Sequence, residues 1–141
     1  MKTIVIDQEL EYELQELYIL SKHWTSDLNF VEDEVRILKD ILNKYLTSME
    51  RSQLKEARNY DKILAQQDAI IRDLKSKITE FLKFVEPFIN DTTKEIGINF
   101  IERFTFLGDE IKALSEYVKL LKKSLFSFTE NVMRTDKALF L

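Results

Sequence analysis

From Leu10 onward the apolar residues of this chain return every three or four positions without a slip: Leu10, Leu14, Leu17, Ser21, Trp24, Leu28, Val31, Val35, Leu38, Leu42 and Tyr45, with Ser21 alone breaking the run. A spacing of 3.5 residues held this long fits neither the alternation of a strand nor an irregular loop. It predicts one long helix whose seam faces partner helices throughout. Asp7 is the expected N-cap, and the acidic DQELEYELQE that it opens suits the positive end of a helix dipole. Helix 1 is expected over about 7–46, about 60 Å at ~1.5 Å per residue.

Two further tracts repeat the spacing. Ala57, Tyr60, Leu64, Gln67, Ile71, Leu74, Ile78, Phe81 and Val85 form the second, expected to end at Glu86 because the ring of Pro87 disfavours helical geometry in the residue before it. The third runs Phe100, Phe104, Leu107, Ile111, Leu114, Val118, Leu121, Leu125, Phe128 and Val132, and Thr92 with Glu95 is its candidate capping box. Gly97 and Gly108 fall inside the expected third helix without breaking its heptad phase, so they read as close-packing points or slight bends. The first connection, TSMERSQ at 47–53, holds neither Gly nor Pro. A turn is expected there nonetheless, because a fused helix over 7–86, about 120 Å long at the usual rise, leaves its seams without intramolecular cover. The sequence therefore predicts an all-α fold: an elongated up-down-up three-helix bundle with antiparallel neighbours and coiled-coil-like packing. It forms a single domain over 1–141, with helix 2 at about 53–86 and helix 3 at about 92–138.

Composition supports this reading and removes other chemistries. Only two Gly and one Pro occur, beside 45% hydrophobic and 33% charged residues, so few long helices are favoured over many short elements. Cysteine is absent, which excludes disulfides and thiolate chemistry and suits a reducing compartment. The start, MKTIVIDQEL, lacks the apolar core of a secretory signal, and no apolar stretch approaches the ~20 residues that span a bilayer. A cytoplasmic protein without membrane insertion is expected. The balance of 21 basic against 25 acidic residues leaves no basic face beyond the short KLLKK at 119–123, so nucleic acid is not an expected partner.

One row invites a functional question. Beside the main seam of helix 1 runs Leu20, His23, Asp27, Phe30, Glu34, Ile37 and Ile41, apolar at its ends and polar in its middle, with the only histidine of the chain. In a three-helix bundle such a row is expected at or near a helix interface. The structural reading pairs His23 with Asp27 one turn apart, sets Glu34 opposite Gln66 and Gln67, and sets Asp27 opposite Arg72 and Asp73. Arg72 then balances a buried carboxylate, and its truncation is expected to cost about 3–5 kcal/mol. The alternative reading is a metal-binding or small-ligand-binding bundle using the strip His23, Asp27 and Glu34, with His23, Asp27 and Asp73 as a mononuclear metal set. A di-iron bundle needs an E-x-x-H motif from each of two helices, and none occurs. Tyr60 and Gln67, the polar-tipped members of the second seam, are expected to satisfy each other or a neighbouring helix. Trp24 and Phe30 read as core.

No Gly-rich phosphate loop or G-x-S-x-G elbow appears, and the consecutive carboxylates Glu32, Asp33 and Glu34 point in different directions on a helix. No enzyme activity and no cofactor are expected. Sixteen aromatic residues, ten of them Phe, exceed what three seams need. Phe84, Phe88, Phe106, Phe126 and Phe140 lie outside the seams, and the row Phe106, Ala113, Tyr117 and Leu120 on helix 3 is expected to absorb some of this excess. The remainder suits an exposed apolar strip of the kind that marks protein contacts. The expected function is therefore a non-enzymatic structural or protein-interaction bundle, with a protein partner or a homodimer.

Overall fold

The computed structural model describes the backbone of residues 2–90 and 98–139 and the side chains of residues 15–88 and 100–136. Among them α1 spans Lys2–Lys44, α2 spans Arg51–Asn90 and α3 spans Ile98–Leu139, with one 3-10 turn at Leu46–Ser48 and no strand. The helices pack against one another as an all-α, up-down-up three-helix bundle. Every seam position of α2 from Ala57 to Val85 is buried, as are most described ones of the first and third seams, with Leu17, Trp24, Tyr45 and Phe104 half-buried. Among the described residues, no helix is long and apolar enough to cross a membrane.

Two expected helix ends differ from those observed. Asp7 is not an N-cap, because the helix already includes Lys2 and the acidic stretch after Asp7 is helix interior. A capping residue works only where the preceding backbone leaves helical geometry. α2 also continues through Pro87 to Asn90 instead of stopping at Glu86. An interior proline removes a backbone hydrogen bond and costs about 3 kcal/mol. Continuing the helix places Phe88 where its ring meets Phe84 at 5.5 Å and Phe100 of α3 at 5.9 Å, with Phe84 6.0 Å from Phe100. Each such pair contributes about 0.5–1.5 kcal/mol beyond its buried area, which offsets much of that cost. The candidate cap Thr92 with Glu95, together with Gly97 and Phe140, lies outside the described residues.

The first connection is tighter than the sequence suggested. The 3-10 turn is closed by the Ser48 and Met49 amides donating to Tyr45 and Leu46 carbonyls, after which Met49 is extended at ψ 140°. Glu50 then caps α2: its carbonyl accepts the first helical bond from Leu54 at 2.9 Å, and its own amide donates to Oε1 of Gln53, also at 2.9 Å. That is the returning half of a capping box, with glutamine three residues into the helix serving as the acceptor. It replaces the Gly or Pro that the segment lacks.

By packing, the chain divides into two compact units, one of Met1–Asn29 with Arg72–Lys112 and one of Phe30–Ile71 with Ala113–Leu141. Each draws a segment from all three helices. In the first unit Phe81 is fully buried at the centre of an aromatic cluster, with Trp24 at 6.0 Å, Phe100 at 5.5 Å and Phe104 at 6.2 Å. Trp24 also lies 4.9 Å from Phe104. Trp24 is half-buried and packs as a seam residue should. The one break in its seam, Ser21, is fully buried, and its hydroxyl donates to the Leu17 carbonyl at 2.7 Å, so it needs no partner on another helix. In the second unit the seam residues Val35, Leu38, Leu64, Ile71, Val118 and Leu125 form an aliphatic core. Tyr60 stacks at 5.3 Å on Phe128 and shares a 2.5 Å hydroxyl–hydroxyl hydrogen bond with Ser124 of α3. Gln53 reaches Thr135 of α3 at 3.5 Å, so partners on α2 and α3 move in opposite directions along the chain. Gln67 is buried but does not bond Tyr60, and no buried side-chain nitrogen or oxygen among the described residues lacks a partner.

Candidate functional site

Heptad letters, with the buried seams as a and d, explain which polar and apolar groups end up between helices. Ser21, Leu28 and Val35 take a on α1, Leu64 and Ile71 on α2, and Val118 and Leu125 on α3. The e and g positions then flank each seam, c and f lie outside them, and flanking charges select partners. In the second unit Lys39 and Asp68, both e, form an ion pair between α1 and α2. Glu34, at g, accepts from Lys122 of α3, at e, across 3.2 Å. In the first unit Lys77 and Glu110, both g, meet at 4.0 Å between α2 and α3.

This frame also corrects the polar strip. The row from Leu20 to Ile41 occupies g and c in alternation, and its c members face solvent: Phe30 is 64% exposed and Ile37 52%. Phe30 is not core. His23 and Asp27 are exposed, while Glu34 is half-buried and finds Lys122 on α3 rather than Gln66 or Gln67. Arg72 is exposed too, so it balances no buried carboxylate. Asp73 bonds Lys77 at 3.0 Å within α2, and that contact, with the charges of Asp73 and then Glu110, raises the Lys77 ammonium above its ordinary pKa. Among the described residues no three His, Asp or Glu side chains gather to hold a metal ion. His23, Asp27 and Asp73 are thus not brought into one such set.

The apolar excess falls elsewhere. On α3 the row Phe106, Ala113, Tyr117 and Leu120 is not absorbed by the bundle: all four are exposed, Tyr117 by 46% and Leu120 by 65%. In the second unit the last two border an open groove of about 440 Å³ between α2 and α3. Tyr60 and Leu121 form its floor, Ile63, Tyr117 and Leu120 its apolar walls, and Glu56, Asn59 and Ser124 its polar edge. The g positions along this flank are Glu56, Ile63 and Ile70 on α2 and Tyr117, Ser124 and Asn131 on α3. Among the described residues of this unit no ion pair crosses it, whereas the other two flanks of the same unit carry one each; on α2 and α3 in the first unit the corresponding g positions hold the Lys77–Glu110 pair. Ile63 and Ile70 were not singled out by sequence reasoning. Their signal is the doubled apolar pair, Ile63 beside Leu64 and Ile70 beside Ile71, which repeats after seven residues and widens the stripe of α2 beyond one seam.

No protein-family model, curated protein or solved structure matches the chain.

Proposed function

We propose that this chain is a non-enzymatic interaction module that engages a protein partner, of its own kind or another, through the exposed apolar groove between α2 and α3. The observation that carries the reading is the flank that holds Ile63, Ile70 and Tyr117 at its g positions, with Leu120 at the neighbouring c, large apolar side chains on the side of the unit that no ion pair crosses. Apolar flanking positions broaden a helix stripe beyond what two neighbours cover, and grooves of this kind receive an amphipathic helix through anchors at helical spacing. The absence of cysteine suits a role in the cytoplasm, which fractionation of cells would check.

A photo-activatable cross-linking residue placed at position 120, in cells that express the full chain, tests the proposal. A discrete protein adduct is expected there and not at the exposed control position Arg58 on α2. Equal labelling at both positions would overturn it.

A further inference from the structure

The charges beside the groove are ordered so that the surface matches itself. Glu116 and Lys123 occupy successive f positions of α3, one heptad apart and opposite in sign, with Tyr117 and Leu120 between them. Both are exposed, and neither belongs to an ion pair among the described residues. The f positions border c on its solvent side, so these charges stand at the lip of the apolar row. On α2 the facing side of the groove is uncharged at Ile63, Gln66 and Ile70.

We propose that the occupant of the groove is a second copy of this chain, its α3 lying antiparallel across the first about a two-fold axis level with Lys119. Reversing the direction of α3 exchanges the two ends of the row. Glu116 then faces the partner's Lys123, Lys123 faces the partner's Glu116, and Tyr117 and Leu120 meet the partner's Leu120 and Tyr117. An interface of this symmetry must be complementary to itself, which the order acid, tyrosine, leucine, base provides. Parallel pairing sets Glu116 against Glu116 and Lys123 against Lys123, so the same charges disfavour the wrong direction. A helix from another protein needs only an apolar stripe to enter the groove, and gives no reason for this reversal of sign along the row.

The identification rests on the reading of the groove as an interaction surface, and sedimentation equilibrium of the purified full chain tests it. Over about 10 to 300 µM, the range that reveals a micromolar dissociation constant, the average mass is expected to rise from the 16.8 kDa of one chain toward twice that value. Leu120→Glu, at an exposed position, should weaken association at least about tenfold, with helix content unchanged by circular dichroism. Glu116→Lys alone should also weaken it, and Glu116→Lys combined with Lys123→Glu should restore it, since the swap re-creates both cross-copy pairs. A wild-type chain that stays monomeric, a dimer indifferent to Leu120→Glu, or a double variant no better than the single one would each overturn the proposal. If the wild type is monomeric while the cross-linker at position 120 still captures a different protein, the interaction reading stands and the second copy is excluded. If nothing is captured either, both fall.

Discussion

A methyl group added at Gly108 would lie 3.5 Å from Cζ2 of Trp24, an ordinary van der Waals contact, on a helical backbone that needs no left-handed conformation. The close approach of α1 and α3 here therefore leaves room for alanine. Gly108→Ala should stabilise the fold by about 0.5–1 kcal/mol through helix propensity, and a higher melting temperature checks it. Arg72→Ala tests the opposite kind of residue. Because Arg72 is exposed, its removal should change stability by no more than about 0.5 kcal/mol, read from urea denaturation, instead of the loss that a buried ion pair implies. The sequence shows why both positions stand out and does not show their burial. Trp24 and Phe30 are both aromatic, six residues apart, and periodicity alone marks the first as seam; it does not say how many helices cover the row of the second. That row would be interior in a bundle with one more helix, so its exposure is a property of the packing partner count, which no single helix encodes.

At the level of the helix, seam spacing told more than local punctuation. The three tracts located every helix interior because a 3.5-residue period is a property of the seam itself. The ends were harder to read because they depend on neighbours. Pro87 reads as a stop in isolation, yet the contacts of Phe84 and Phe88 with Phe100 carry α2 past it. Pro87→Ala should restore the missing backbone bond and stabilise α2 by up to about 3 kcal/mol, raising the denaturation midpoint. A lowered midpoint would show that the ring itself contributes packing that outweighs the bond. In the first connection the informative residue was Gln53, whose side chain caps the amide of Glu50. Its signal is a glutamine three residues into the helix, a cap that closes the turn without Gly or Pro. The groove was half legible: Tyr117 and Leu120 were visible as a row, but Ile63 and Ile70 were concealed beside the seam they thicken.

On the scale of the molecule, each packing unit joins a stretch of continuous chain to a helix segment from elsewhere. One takes α2 and α3 through Arg72–Lys112 with a segment of α1, and the other takes α1 and α2 through Phe30–Ile71 with a segment of α3. Truncation after Lys112 removes the third wall of the latter and uncovers seam residues such as Val35, Leu38, Leu64 and Ile71, which are essentially fully buried in the full chain. The truncated protein should bind a hydrophobic dye strongly and lose cooperative unfolding, measured by fluorescence and by the steepness of the thermal melt. An unchanged melt would show that the α1–α2 pair closes its own seam. The same division sets an order on synthesis. A ribosome releases the Phe30–Ile71 pair long before Ala113–Leu141 can cover it, so every newly made chain passes through an interval with an open apolar seam, and chaperone capture should concentrate on nascent chains halted in that interval.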